Sequence, residues 1–592
     1  MYSPLGHTRD LTGRSVALPR AERIALLTVS LEDYFQVGAF GSLIPRGQWY
    51  RFESRVVLAA TRLLDLLDEH GARATVFVLG VVAEQFPELV RAVRERGHEV
   101  ASNGYQHRAI RELNPGAFAD DLSRAREAIE RATGERVLGC RVSGWLTPAD
   151  GWALDVIAEQ GYVYDSSMRP LLRSHAAAPA TTRPHLRPTR SGLELWELPV
   201  SSVSLFGCAL PIAGGNWMRQ LPPALVRRAI ARCDRKACGA PLVFYFHSWE
   251  LDPEQPRIDA ASPLARLRHY RNLHRMPALL REHLAARRFV SAREWLDVEP
   301  APATPPERRV ARPNTVAPAR APALVTAARS LPRVAATVVI PCFNEERVLP
   351  YLANTLRRLE DSIGGAYDLR FLLVDDGSTD GTRGVMRSLF GEWANVTVLR
   401  HDRNRGTAAA IRTGVLAATT EIVCSMDCDC TYDPHELARM IPRLRPGIDV
   451  VVASPYHVDG SARHLPWWRR ALAKSLAGLY RAALRQPLTC YTSSFRVYRR
   501  SRLLGLPVRR GGFIGVTETL ARLDLDGAAI VEHPVTLDAR LFGRSRLAVV
   551  RGITDHLGLL AELAWLRARG RGGRPITPSL PTEAASLDRT VR

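Results

Sequence analysis

The strongest constraint on the fold lies in the second half of the chain. Thr337–Ile340, Arg370–Val374, Thr397–Leu399, Glu421–Met426 and Asp449–Ala453 are short, apolar, β-branched runs separated by segments of helical spacing. Strands that alternate with helices cannot pair as hairpins. They call for crossover connections and a doubly wound, open α/β sheet. Four of the runs end in polar stretches, "VVIPCFNEE", "LLVDDGSTDGT", "LRHDRNRGTAAAIRTG" and "SMDCDCTYDP". The carboxyl edge of such a sheet is where ligands bind.

The first half has the same alternation. Ile24–Val29 reads as a strand, Ser54–His70 as an amphipathic helix closed by Gly71, Thr75–Leu79 and Glu99–Ser102 as further strands. In "NPGAFADDLSRAREAIERATG", Asn114 is an N-cap, Pro115 sits in the first turn and Gly134 ends the helix. Repeated over this length, the pattern predicts a parallel (β/α) barrel, complete or distorted. Residues 299–333 are rich in Pro, Ala and Arg without periodicity and read as a flexible linker, and residues 568–592 as a disordered tail. The expected folded parts are therefore 20–298 and 334–567.

The net charge of +21 raises the question of nucleic acid. Lys occurs only at Lys236 and Lys474, so the cation is almost all Arg, scattered without a stripe of exposed aromatics or a nucleic-acid motif. Nucleic acid is not an expected partner, whereas attraction to anionic lipid or phosphorylated substrates is allowed. Nine thinly spread cysteines do not form a disulfide framework, and Cys424, Cys428 and Cys430 read as buried small residues. With no signal-like apolar run before the first strand and no 18-residue apolar span, a cytoplasmic protein that can touch the inner membrane face is expected.

The strand ends of the second half suit a nucleoside diphosphate. A carboxylate must accept from base and ribose, and Asp375 or Asp376 is placed for it. Asp427 and Asp429 alternate along a segment read as extended, so both side chains can reach one divalent cation. Gly406 allows close approach of the backbone before a helix begins. These motifs, in this order, resemble the inverting family-two glycosyltransferases of GT-A fold. The later "YTSSFRVYRR", "GGFIGVTETLARL" and "RLFGRSRL" resemble its dolichyl- or polyprenyl-phosphate sugar transferase branch. The resemblance implies that Pro341, Phe343 and Glu345 line the base and that Asp376 holds base and ribose. It also implies Mg²⁺ or Mn²⁺ on Asp427 and Asp429, Arg544 on a phosphate, and Glu518 as base or acceptor ligand. The chain departs from that branch at "CTYDP", without the usual Gln, and at Pro455, where Arg is usual.

In the first half, "EDYFQV", "HEVASNGYQHR", "GCRVSGW", "YVYDSSMRP" and "VFYFHSWELDPEQPR" resemble the polysaccharide deacetylases, in a branch associated with exopolysaccharide export. The resemblance implies a Zn²⁺-like site with Asp33 as metal carboxylate, His107 as ligand, Arg141 as orienting arginine and His247 as acid. Two parts are missing: Ser30 stands where the family has its catalytic aspartate, and Asn103 stands where it has the first metal histidine. A neutral hydroxyl cannot act as base, and an amide is a poor ligand for zinc.

The expectation is a metal-dependent nucleotide-sugar glycosyltransferase acting on a polyprenyl-phosphate or lipid-linked glycan acceptor, with a fused, impaired deacetylase-like domain. The alternatives are a bifunctional transferase and N-deacetylase, or a non-enzymatic glycan-binding scaffold.

Overall fold

The computed structural model describes residues 24–168, 183–205, 208–236, 240–299, 333–543 and 549–569. All but the end residues of the expected linker (299–333) and all but the first two residues of the expected tail (568–592) lie outside them, as does Arg544. The chain divides into two compact units. One holds Met1–Trp49, Ser54–Arg257 and Ser262–Pro318, the other Tyr50–Glu53, Ile258–Ala261 and Ala319–Arg592.

The first unit contains β1 (Ile24–Leu31), β2 (Thr75–Val78), β3 (Glu99–Ser102), β4 (Gly139–Cys140), β5 (Tyr164–Asp165), β6 (His185–Pro188) and β7 (Glu194–Glu197). They are followed by β8 (Val203–Leu205), β9 (Cys208–Leu210), β10 (Leu242–His247) and β11 (Arg288–Val290). The main sheet runs β10-β1-β2-β3-β4-β5-β7-β6, with β11 also on β1, while β8 and β9 form a separate ribbon. Only β6 is antiparallel to its neighbour in the main sheet. The two ends of the path do not pair among the described residues, so the expected barrel is a distorted one that stays open.

Helix α1 (Val56–Glu69) buries Val56, Ala60, Leu63, Leu64 and Leu67 at helical spacing. Helix α2 (Pro115–Thr133) starts where Asn114 Oδ1 accepts from Ala117 N at 2.8 Å, and it stops at Gly134, whose φ of 74° suits glycine.

The second unit contains β12 (Val334–Cys342), α3 (Leu349–Ile363), β13 (Tyr367–Asp375), α4 (Thr382–Phe390), β14 (Val396–Arg400), α5 (Thr407–Ala417), β15 (Ile422–Ser425), β16 (Val450–Ser454) and β17 (Ser461–Ala462). Then come α6 (Trp467–Ala483), β18 (Arg496–Arg499), α7 (Gly512–Leu525), β19 (Ile530–Pro534), β20 (Thr536–Leu537) and α8 (Val549–Ala568). The sheet order is β14-β13-β12-β15-β18-β16-β19. It is the expected wound sheet with one correction: β18 is inserted antiparallel between β15 and β16. The sequence did not announce this strand, because a four-residue run with Arg at both ends carries no apolar alternation. Arg496 is nevertheless buried, its guanidinium donating to Val516 O and Tyr491 O, both at 2.8 Å. Among the described residues no helix is long and apolar enough to cross a membrane.

Candidate functional site

In the second unit the exits of β12, β13 and β15 converge. Cys342 is in register with Asp375, and Pro341 with Val374. The β12 exit is tied to the β13 exit: Asn344 N donates to Ser378 Oγ at 2.9 Å, and Glu345 N to Thr382 Oγ1 at 2.8 Å. Phe343, Asn344, Glu345, Asp380 and Arg540 help line a cavity of about 350 Å³.

The two expected nucleotide acids separate by role. Asp376 accepts from His401 Nδ1 at 2.7 Å and from the backbone N–H groups of Arg405 and Gly406, both at 2.8 Å. Its carboxylate holds the loop that opens α5. Gly406 in that loop has φ 92°, and a Cβ there would stand 2.2 Å from Gly512 N. Asp375 Oδ1 accepts from Ser378 N at 2.9 Å, but its Oδ2 is buried with no hydrogen-bond partner and has only Arg400 Nε, 3.6 Å away. Of the two, Asp375 has a buried acceptor oxygen without a hydrogen-bond partner. Asp376, expected to hold base and ribose, takes three hydrogen bonds from its own loop and from His401.

Asp427 and Asp429 do come together, though not on an extended segment. β15 ends at Ser425, and the acids follow in a turn that closes from Cys430 N to Asp427 O at 3.4 Å, with Cys430 at φ 52°. Ser494 Oγ donates to Asp427 Oδ2, and Thr431 N to Asp429 Oδ1 at 3.1 Å. Burial, and after it the charge of Asp429, pushes the Asp427 carboxyl up to about 7. Arg540, a residue that the sequence reading passed over for Arg544, bridges the acids. It donates to Glu345 Oε2 and sits 3.7 Å from Asp429 Oδ2. Burial would lower its pKa, but the charges of Glu345 and Asp429 outweigh that and hold it charged.

Two neighbouring carboxylates, one of them raised in proton affinity by burial and then by the charge of the other, fit a divalent cation. Among the described residues there is no group of three or more His, Cys, Asp or Glu placed to hold an ion. A hard cation on Asp427 and Asp429 would therefore complete its shell with substrate oxygens and water, as Mg²⁺ does.

Glu518, expected as a base, is fully buried in α7. It accepts from Arg510 N at 2.7 Å, from Arg509 N and from Arg522 Nε at 2.6 Å, so its role in the fold is that of a clamp.

In the first unit Ser30, the penultimate residue of β1, is in register with His247 of β10 and Phe77 of β2. The carboxylate that meets the histidines is Glu32, not Asp33. Glu32 Oε2 lies 3.1 Å from His107 Nε2, and Oε1 lies 2.5 Å from His247 Nδ1. Burial would raise the Glu32 pKa, but the charges and hydrogen bonds of His247 and His107 outweigh it and hold the carboxyl well below the usual range. His247 Nε2 is paired in turn with Tyr245 OH. The expected metal carboxylate, Asp33, is turned to the first turn of α1, accepting from Ser54 Oγ and, at 2.8 Å, from Arg55 N. Burial pushes it up to about 6.

Asn103 is buried at the exit of β3, its backbone N–H donating to Val78 O at 2.8 Å. Arg141 lies between the rings of Phe77 and Tyr245, with Nη2 donating to Thr28 Oγ1 at 2.8 Å and to Ser166 Oγ at 2.9 Å. Its Nη1 is buried without a hydrogen-bond partner, and burial pulls its pKa down to about 10. Thr28 and Ser30, two residues apart on β1, share a face. The unpartnered Nη1 thus belongs to a guanidinium on the side of the strand where Ser30 lies.

Comparison with known proteins fits this geometry. The Glycosyl transferase family 2 model matches residues 337–504. An uncharacterized glycosyltransferase of Mycobacterium tuberculosis (strain ATCC 25618 / H37Rv) is 34% identical over 216 residues, 36% of this chain and 90% of the relative. The chain belongs to the family-two glycosyl transferases. Within that family, the polyprenol monophosphomannose synthase of Mycolicibacterium smegmatis is 28% identical over 218 residues, 36% of this chain and 80% of its own. Among solved structures, glucosyl-3-phosphoglycerate synthase from Mycobacterium tuberculosis, in complex with Mn²⁺, uridine diphosphate and glucosyl-3-phosphoglycerate, is 20% identical at TM-score 0.29. That alignment covers 40% of this chain and 81% of the neighbour. To this transferase is fused a polysaccharide deacetylase domain, matched over residues 51–157, with a domain of unknown function (DUF3473) over 166–297. The deacetylase match begins beyond Ser30, Glu32 and Asp33.

Proposed function

We propose that the chain transfers one sugar per event from a nucleotide donor to a polyprenyl phosphate, with inversion and with Mg²⁺ or Mn²⁺ on Asp427 and Asp429. The observation that carries this reading is the paired carboxylates of Asp427 and Asp429 beside Glu345 and Arg540 at the carboxyl edge of the sheet. An oxygen of the acceptor phosphate bonds to the anomeric carbon. The bond from that carbon to the donor diphosphate breaks, and the nucleoside diphosphate leaves with the electron pair. The cation, when bound, supplies positive charge against the negative charge that builds on the leaving diphosphate. Asp375 accepts from base or ribose through its free Oδ2, and Arg540 adds a second fixed positive charge near the diphosphate.

The commitment of Glu518 favours a phosphate over a sugar hydroxyl as acceptor. A phosphate is already anionic at neutral pH and needs no base, and the expected base has no free lone pair. The mannose synthase among the relatives supports the same acceptor class.

The test mixes the full chain with Mn²⁺, a panel of uridine and guanosine diphosphate sugars and a short-chain polyprenyl phosphate. A lipid-linked sugar and free nucleoside diphosphate are expected in equal amounts from one donor. No turnover and no thermal shift with any donor would leave the scaffold reading in its place. The first unit is proposed as a hydrolytically silent deacetylase shell, because Ser30 cannot accept the water proton and the neighbouring Glu32 is locked between two imidazoles.

A further inference from the structure

Helix α6 is poorly covered for its length. Of its 17 residues only Ala477 and Tyr480 are buried, both in its second half. That half is anchored to α8. Tyr480 OH meets His556 Nδ1 at 2.8 Å, and Arg567 Nη1 donates to Leu484 O at 2.9 Å and to Ala482 O at 3.2 Å, where the last turn has carbonyls to satisfy. Helix α8 is held to α7 by Glu562, which pairs with Arg510 at 3.0 Å and Arg522 at 2.9 Å. The first two turns of α6 therefore stand out from a braced base.

Successive helical residues lie about 100° apart, and this divides α6 into three sectors. Ala473, Leu476, Ala477 and Tyr480 form the inward sector. Trp468, Leu472 and Leu479, at i, i+4 and i+11, form a second apolar stripe, and this one faces solvent at 40%, 38% and 50% exposure. Arg470, Lys474 and Arg481 form the third sector, with Trp467, 74% exposed, at its edge. An ordinary surface helix has one apolar stripe, directed at the core. Here a second one, begun by two exposed tryptophans, is left in water.

The charge is equally one-sided. From Gly460 to Thr517 the sequence has no Asp or Glu and twelve Arg and Lys. Among the described residues no carboxylate lies within 4 Å of the charged groups of Arg469, Arg470 or Lys474. A second copy of the chain is a poor occupant, since an isologous contact would set these cations against themselves. An anionic lipid surface answers every part of the face: tryptophan settles at the headgroup level, leucine enters the acyl boundary, and Arg and Lys reach out to phosphate.

We infer that α6 is an in-plane membrane helix that docks the chain on anionic phospholipid. The inference accords with the acceptor reading, since the chain leaving α6 reaches Ser494, the hydroxyl on Asp427, about ten residues later. The docking does not depend on sugar transfer, and binding is read without donor.

The experiment is co-sedimentation of the full chain with vesicles of phosphatidylcholine containing phosphatidylglycerol, and with vesicles of phosphatidylcholine alone. The wild type is expected to sediment with the anionic vesicles, less at high salt, and weakly with the neutral ones. A Trp467→Ser, Trp468→Ser, Leu472→Ser variant should partition at least about tenfold more weakly. An Arg469→Gln, Arg470→Gln, Lys474→Gln variant should lose the preference for phosphatidylglycerol. Because five of the six positions are exposed and the sixth, Arg469, is half-exposed, circular dichroism and the donor-induced thermal shift should stay unchanged. Wild type remaining in the supernatant, or a serine variant that sediments as well, overturns the inference. So does a wild-type dimer that the serine variant dissolves, since that would make the face a self-interface. Vesicle binding without sugar transfer would overturn the transferase reading alone.

Discussion

At the scale of single residues, the chemistry turns on acids that burial makes reluctant to ionise. Asp427→Asn should lower transfer by about 10²-fold or more while leaving the fold intact, because the lost charge is one the cation and diphosphate need. The sign of its pH effect follows from its raised pKa. The folded state binds the Asp427 proton more tightly than the unfolded state, so this residue makes stability fall as pH rises from about 4 to about 7. In the variant that part of the slope should vanish in denaturant titrations. The same proton competes with the cation. Mn²⁺ affinity, read by calorimetry, should therefore rise through about pH 7 and level off above it, and a flat profile would exclude Asp427 as a ligand. In the first unit, Ser30→Asp with Asn103→His should raise acetate release from an N-acetylated oligosaccharide by about 10²-fold or more, the introduced acid meeting the unpartnered Nη1 of Arg141. Equal acetate release by the unaltered chain would favour the bifunctional enzyme. Ser30 in place of an acid was legible in the sequence as an expectation. That Glu32, rather than Asp33, meets His107 and His247 was not, because adjacent residues differ only in the direction their side chains leave the chain, and β1 ends just before them.

At the scale of elements, α7 separates a structural acid from a catalytic one. Glu518→Ala leaves Arg522 and two backbone N–H groups without their acceptor and should cost about 3 kcal/mol in denaturant unfolding. The fraction that stays folded should keep its turnover number, whereas a selective fall in turnover without loss of stability would restore Glu518 to catalysis. The main strands were readable because β-branched runs bounded by polar turns leave few alternatives, and β12, β13 and β16 lie within a few residues of the runs that predicted them. The acidic turn after β15 was read as extended, since an alternation of Asp and Cys looks the same in a strand and in a turn. The left-handed φ of Cys430 is what closes it.

At the scale of the whole molecule, the chain is a two-unit protein with a glycosyl transferase domain in one unit and a polysaccharide deacetylase domain in the other. Ligand that binds only one folded unit stabilises that unit, by about 2.7 kcal/mol at a hundredfold excess over Kd. Scanning calorimetry of the full chain with Mn²⁺ and the correct donor should move one transition upward and leave another in place. A donor that moved every transition equally would mean that the chain unfolds as a single cooperative body.

The sequence alone determined the α/β class of both halves and the transferase and deacetylase motifs, and it raised Asp427, Asp429, Ser30 and Asn103 as the positions to examine. Periodicity and the order of motifs are local properties, and burial of apolar runs enforces them wherever the chain goes. Tertiary structure decided what each acid is for: Asp376 and Glu518 are spent on backbone N–H groups, Asp33 on a helix start, and Glu32 on two histidines. Those assignments depend on which partner lies within hydrogen-bond reach after the strands have been set side by side, and that proximity is written nowhere in the spacing of the residues.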